Sequence, residues 1–194
     1  MTPLSEPFER FAALFEEAKK AILVDPNAVQ LATVDASGRP SLRTVLMKDF
    51  DTRGFVFYGN QSSRKGRALA ETKVAALNFY WPALGAQVRV EGTVSVVSDE
   101  EADAYFATRP RLSQVGAWAS LQSQVLDSRE TLDERVLELT KKYEVGEVPR
   151  PPHWSGWRLS PDSFEFWKAH PFRLHWRDVY EKEGAGWRTF MLYP

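Results

Sequence analysis

"AVQLATVDASGRPSLRTVLMKDFDTRGFVFYG", residues 28–59, decides the fold. Its strand-like runs "AVQLATVD", "PSLRTVLMK" and "GFVFYG" are separated by the turn-rich stretches "ASGR" and "DFDTRG". Connections this short join strands that run in opposite directions, so the stretch predicts an antiparallel meander.

On the amino-terminal side, Phe8, Phe11, Phe15, Ala18 and Ile22 recur at helical spacing behind the start signals Ser5 and Pro7. An amphipathic first helix is expected there. On the other side, a short helix from about Ser63 to Thr72 precedes "VAALNFYW" and "AQVRVEGTVSVVS", where Val88, Val90 and Val94 alternate with polar neighbours. Ser98 with Glu101 reads as a capping box opening "DEEADAYFAT". Asp127 with Glu130 reads as the opening of a further helix that carries Leu132, Val136, Leu139 and Tyr143 on one face.

After the proline-rich "EVPRPPHW", the runs "WSGWRLS", "SFEFWKA", "FRLHWRDVYEKE" and "GWRTFMLYP" return to aromatic-rich strand patterns. Strands at both ends of the chain can rejoin in one sheet, which closes a barrel and leaves fewer exposed edges. The predicted fold is mainly β with peripheral helices, an α+β barrel formed by a single domain over residues 1–194.

Lys+Arg 25 against Asp+Glu 26 gives a net charge of -1, so no global field favours nucleic acid or an acidic membrane, and any anion site is local. With Cys 0 there is no disulfide framework, thiolate metal site or cysteine nucleophile, as expected of a protein from a reducing cytosol. The start, "MTPLSEPFERFAALFEEAKK", is acidic and amphipathic and lacks the basic start and apolar run of a leader. No later apolar run is long enough to span a bilayer. A cytoplasmic protein without nucleic-acid or membrane partners is expected.

Local anion sites are suggested in four places. In "YFATRPRLSQVGAW" the polar side chains from Tyr105 to Ser113 are all hydrogen-bond donors or cations. Tyr105 and Arg109 are four apart on a capped helix and share a face. Pro110 biases Arg109 out of helical geometry and can begin a new helix with Ser113 in its first turn. A phosphate there would take the Tyr105 hydroxyl, the Arg109 fork and the Ser113 hydroxyl together. In "QSSRKG", Ser62, Ser63, Arg64 and Lys65 stand at a helix start, where anions are favoured, although Ser63 can equally be a plain cap with solvated cations after it. Arg43 and Lys48 stand at the two ends of "RTVLMK". Finally, a strand through "FRLHWR" would place Arg173, His175 and Arg177 on one face, either a pocket wall beside Trp167 and Phe172 or the solvated face of an edge strand.

Taken in order, "RTVLMK", "FVFYGNQSSRKG", "QVRVEG", "YFATRPRLSQVGAWAS", "QSQ", "FEFWKAHPFRLHWR" and "MLYP" resemble the pyridoxamine 5′-phosphate oxidase family, FMN enzymes of the split-barrel flavoprotein superfamily. The resemblance runs from about Phe8 to Pro194. It implies an FMN-binding split β-barrel and a homodimer with FMN at the subunit interface. It also implies oxidation of pyridoxamine and pyridoxine 5′-phosphates to pyridoxal 5′-phosphate, with hydride transfer to the flavin and reoxidation by O2.

Carried over by motif, the FMN contacts are Arg43, Thr44, Val45, Leu46, Met47, Lys48, Tyr58, Gly59, Arg64, Lys65, Gln87, Gln122, Ser123, Trp167 and Arg177. Lys48, Tyr105, Arg109 and Ser113 hold the substrate phosphate in this reading, while Arg173, Leu174 and His175 face the substrate, with Arg173 and His175 in the catalytic role. No metal is implied, since the three histidines, His153, His170 and His175, are scattered.

The chain departs from the family pattern at Gly59, which lacks a hydroxyl often found after the tyrosine, at Lys168 after "FEFW", and at Trp176, where an acidic or amide residue usually follows "RLH". It also starts too late to supply most of the amino-terminal segment that reaches over the substrate. Two other readings are a split-barrel flavin oxidase of another aromatic substrate and a non-catalytic FMN or pyridoxal-phosphate binding protein.

Overall fold

The meander is present in the computed structural model, which describes residues 5–194. Residues 1–4, the beginning of the segment read as lacking a leader, lie outside the described residues. Strands β1 (Ala28–Val34), β2 (Pro40–Asp51) and β3 (Gly54–Asn60) pair antiparallel, with β2 in the middle. β4 (Val74–Trp81) joins the free side of β1, β5 (Ala86–Val96) follows it, and β6 (Trp154–Lys168) pairs with β5. β6 also pairs with β3, from Trp154 to Leu159, and so closes a barrel of six antiparallel strands. β7 (Trp176–Glu183) and β8 (Gly186–Met191) extend from the other half of β6.

β6 replaces the two strands expected from "WSGWRLS" and "SFEFWKA". Pro161 is tolerated inside it because it sits at a β-bulge opposite Glu91 and Gly92, where the ladder is already interrupted. The extra residue, Asp162, shifts the side-chain phase: Trp157 and Leu159 enter the core before the bulge, Phe164 and Phe166 after it. A Cβ on Gly92 would stand 2.1 Å from the Ser160 carbonyl oxygen, so the bulge needs glycine there.

Helix α1 (Glu6–Ala21) lays Phe8, Phe11 and Phe15 into this core. The Phe11 ring meets Phe55 at 4.8 Å and Phe79 at 4.9 Å between centroids, one of them edge-on at 84°. Burying each such ring stabilises the fold by roughly 1.5–3 kcal/mol. Ser5 makes no side-chain cap; Glu6 and Glu9 supply the negative charge that the helix start favours.

Three local expectations are corrected. Ser98 Oγ accepts from Glu101 N at 3.2 Å, but the Glu101 carboxylate pairs with Arg158 rather than returning to the cap, so only half of the capping box forms. Helix α5 (Arg129–Lys142) is capped by Ser128, not Asp127, and its Val136, Leu139 and flanking Tyr143 are only partly buried. "FRLHWR" is not a strand along its length. Residues 171–173 form a tight turn in which Phe172 and Arg173 take left-handed φ of 58° and 63°, and β7 begins at Trp176. The shared face proposed for Arg173, His175 and Arg177 therefore does not exist. Among the described residues no helix is long and apolar enough to cross a membrane.

Candidate active site

A cavity of about 870 Å³ opens between β2, β3, the start of α2 (Arg64–Thr72), the end of α3 (Asp99–Thr108), α4 (Arg111–Ala119) and the segment through Ser123. Its described lining contains Arg43, Lys48, Arg64, Lys65 and Arg109, and no carboxylate. Cations that converge without acidic partners favour an anionic ligand.

One group of these cations sits at the start of α2. Ser63 caps the helix by accepting from Gly66 N at 3.3 Å, and a Cβ on Gly66 would lie 2.1 Å from the Gln61 carbonyl oxygen, so this turn depends on glycine. Lys65 is buried, and its Nζ donates to Gln122 Oε1 at 2.7 Å and Ser63 Oγ at 3.2 Å. Burial, with Arg43 adding repulsion, lowers its pKa to about 8. Arg43 donates to the Leu31 carbonyl oxygen at 3.0 Å, Thr33 Oγ1 at 2.8 Å and Ser41 Oγ at 2.6 Å, all neutral acceptors. Its pKa is lowered by burial and then by Arg64. A phosphate fits this donor set, because it would supply the charge that the neutral partners do not.

The second group lies where α3 gives way to α4. Arg109 leaves the helix in an extended conformation, φ -72° and ψ 146°, as the following proline demands, and Pro110 stands at the start of α4. Tyr105 stacks on Tyr58 with centroids 4.0 Å apart. The Arg109 guanidinium covers the Trp154 ring at 4.8 Å, and its Nη1 is buried without a hydrogen-bond partner. Burial lowers the Arg109 pKa and pushes the Tyr58 phenol up to about 12, with Glu101 adding to the latter. Ser113 lines the same cavity. Gln114 from the same stretch is buried away from the cavity and ties α4 to the last turn of α3 through the Phe106 carbonyl at 2.9 Å.

The cavity thus gathers Arg43, Thr44, Val45, Leu46, Lys48, Tyr58, Gly59, Arg64, Lys65, Tyr105, Arg109, Ser113, Gln122 and Ser123. Met47 does not join them: its side chain is buried in the barrel core opposite Phe57. Gln87, Trp167 and Arg177 are also elsewhere, side by side in register across β5, β6 and β7. His175 packs on Trp167 at 4.6 Å, and Arg173 and Leu174 are exposed. Arg177 is held by Glu165 at 2.8 and 3.0 Å. Asn60, Thr108 and Trp154 line the cavity although no motif singled them out; the only sign of Trp154 was an aromatic at a strand start after two prolines.

Comparison with known proteins matches residues 15–143 to a family model described as "Pyridoxamine 5'-phosphate oxidase". The chain belongs to the pyridoxamine 5′-phosphate oxidase family. A second model, "Pyridoxine 5'-phosphate oxidase C-terminal dimerisation region", matches residues 154–194. Relatives named pyridoxine/pyridoxamine 5′-phosphate oxidase include one from Myxococcus xanthus (strain DK1622), 62% identical over 97% of this chain and 92% of its own. Another, from Bradyrhizobium sp. (strain BTAi1 / ATCC BAA-1182), is 53% identical over 100% of this chain and 90% of its own.

Among solved structures, PhzG from Burkholderia lata 383, in complex with tetrahydrophenazine-1-carboxylic acid, superposes with a TM-score of 0.90 at 34% identity, covering 100% of this chain and 94% of its own. A Nostoc punctiforme protein described as pyridoxamine 5′-phosphate oxidase-related and FMN binding shares the fold at a TM-score of 0.77 and 18% identity, covering 97% of this chain and 98% of its own. The split barrel is therefore the family fold. The matched dimerisation region contains Trp167, Arg173, Leu174, His175 and Arg177, which the cavity of one chain leaves out together with Met47 and Gln87.

Proposed function

We propose that the protein is an FMN-dependent oxidase that converts pyridoxamine 5′-phosphate and pyridoxine 5′-phosphate to pyridoxal 5′-phosphate. The alcohol consumes O2 and yields H2O2; the amine consumes O2 and water and yields H2O2 and ammonia. The observation that carries this reading is the division of one carboxylate-free cavity into two cationic groups, Arg43, Arg64 and Lys65 on one side and Arg109 with Tyr105 and Ser113 on the other. Two phosphates in one cavity suit a phosphorylated cofactor beside a phosphorylated substrate.

In this reading Arg43, Arg64 and Lys65 hold the FMN phosphate, and Gln122 keeps the Lys65 ammonium aimed at it. When bound, FMN supplies the redox chemistry, accepting hydride from the substrate C4′ and being reoxidised by O2. Tyr105, Arg109, Ser113 and Lys48 hold the substrate phosphate, so that binding energy from a remote group orients the reacting carbon. The match to a dimerisation region supports a homodimer. A second copy then brings its Gln87, Trp167 and Arg177 to the flavin and its Arg173, Leu174 and His175 to the substrate ring, with FMN at the interface.

The test is aerobic incubation of the FMN-loaded protein with each phosphorylated vitamer, following the aldehyde by absorbance and peroxide by a coupled assay. Equal amounts of aldehyde and peroxide are expected. FMN and vitamer binding without peroxide would instead identify a binding protein. A second reading, oxidation of another aromatic substrate, is favoured by the likeness to PhzG; it is established if the vitamers are inert and a non-phosphorylated aromatic is turned over.

A further inference from the structure

Helix α3 delivers Tyr105 and Arg109 to the cavity, yet its apolar anchorage is slight, with Ala102 and Phe106 its buried residues. Its opposite end is held by charge. Asp99 and Asp103 pair with Arg150 at 2.7 and 2.5 Å, and Glu101 pairs with Arg158 at 2.8 Å. Both arginines are largely buried, their side chains 13% and 9% exposed, while Asp99 and Asp103 reach them from solvent and Glu101 from a partly buried position, so the geometry of each pair is fixed from the arginine side.

The two arginines also reach the rest of the site. Arg150 Nη1 donates to the carbonyl oxygen of Trp154, the residue on which Arg109 lies. Arg150 is itself fixed between anchors: Trp118 Nε1 donates to the Pro149 carbonyl at 2.7 Å, and His153 Nε2 is 3.1 Å from the Ala117 carbonyl. Arg158 lies on β6 and contacts Asp51 at the end of β2, 3.3 Å away. The helix rises about 1.5 Å per residue, so a shift of the clamped turn is carried along a rigid rod to Tyr105 and Arg109.

We propose that Arg150 and Arg158 are positioning residues for substrate recognition, fixing α3 through Asp99, Glu101 and Asp103 so that Tyr105 and Arg109 meet the substrate phosphate. Neither lines the cavity. The clamp also engages Asp99, Glu101 and Asp103 with arginines of their own, leaving Arg109 for the ligand. This proposal rests on the reading of Tyr105 and Arg109 as the substrate-phosphate site.

The experiment is steady-state kinetics on FMN-loaded Arg150→Met, Arg150→Lys, Arg158→Met, Asp103→Asn, Arg109→Ala and the double variant Arg109→Ala/Arg150→Met, with FMN affinity measured in parallel. Arg150→Met and Arg158→Met are expected to raise KM for pyridoxamine 5′-phosphate about threefold to tenfold. Their kcat and FMN affinity should stay within about twofold of the parent. Arg150→Lys should recover part of the loss, and the double variant should be little worse than Arg109→Ala alone, because Arg150 acts through Arg109. If either methionine variant does not fold, the milder Asp103→Asn carries the same expectation with a smaller rise.

An unchanged KM in the Arg150 and Arg158 variants, beside a raised KM in Arg109→Ala, overturns the clamp. So does a parallel loss of kcat, substrate affinity and FMN affinity, or additive losses in the double variant. If Arg109→Ala itself leaves KM unchanged, the substrate-phosphate reading fails instead, and the clamp falls with it.

Discussion

Arg109 lies over Trp154, 4.8 Å from the ring centroid, with Nη1 buried and without a hydrogen-bond partner. A buried, unsatisfied donor on a cation is costly, and a phosphate oxygen would satisfy it. Arg109→Ala should therefore lower kcat/KM for pyridoxamine 5′-phosphate by about tenfold to a few hundredfold, the loss of roughly 1.5–3 kcal/mol of charge-assisted hydrogen bonding. Activity on unphosphorylated pyridoxamine should hardly change. Equal losses on both vitamers would mean that Arg109 supports packing rather than phosphate recognition.

Lys65 gives FMN binding a predictable pH dependence. Its pKa of about 8 means that the cavity loses this positive charge as pH rises through that value. Phosphate binding favours the protonated lysine, so FMN affinity should be highest below pH 8 and decline above it, with proton uptake on binding near the midpoint. The protein without FMN should show the opposite trend from this group. Between about pH 8 and 10.4 the unfolded chain binds the proton that the folded lysine has released, so stability rises with pH. Fluorescence titration of FMN from pH 6 to 10, repeated on Lys65→Met, checks this; a decline that persists in the variant assigns the effect to another group.

Subunit mixing tests whether the two halves of the site come from different copies. Arg64→Ala damages the cavity, whereas Arg173→Ala damages the surface offered to a partner. Each homodimer should be impaired in its own way, the first in FMN affinity and the second in turnover at saturating FMN. Dissociating and reassociating an equal mixture should restore activity toward about a quarter of the parent value, since half of random dimers are mixed and each has one intact site. No recovery after confirmed subunit exchange would mean that one copy supplies both residues to a site.

The turn into α2 should tolerate no side chain at Gly66. Gly66→Ala places a Cβ 2.1 Å from the Gln61 carbonyl oxygen, a backbone atom that cannot rotate away. A stability loss of about 1–3 kcal/mol is expected from denaturant unfolding, together with weaker FMN binding as the capped start of α2 shifts. Gly116→Ala is the control for stability alone, because a Cβ there meets no protein atom within 4 Å although the residue lines the cavity.

The barrel was legible because alternating Val88, Val90 and Val94 and the turns of the meander are local signals, and the α3–α4 corner because Pro110 restricts Arg109 directly. Failures occurred where tertiary contacts override the local pattern. Arg173, His175 and Arg177 have strand spacing, but left-handed Phe172 and Arg173 turn the chain first. Met47 lies within a motif whose neighbours line the cavity, yet the register shift between Met47 and Asp49 accompanies its burial in the core. Glu101 has the spacing of a reciprocal cap but is taken by Arg158, 57 residues away. No window of local sequence contains that competitor.

The bulge at Asp162 gives β6 a place where a residue can be lost without turning over either face. β3 pairs with the first half of the strand and β7 with the second, and both halves present their aromatic residues to the core because the extra residue absorbs the change of parity between Leu159 and Phe164. Deleting Asp162 would leave plain alternation, with Trp157, Leu159, Phe164 and Phe166 still inward, whereas deleting Arg158 or Glu165 would put two of these core residues on opposite faces. The first change costs only the kink beside Gly92; the second damages folding. Homologous barrels should accordingly show a one-residue gap at this position far more readily than elsewhere within β6, which gives alignments of the family a fixed reference column.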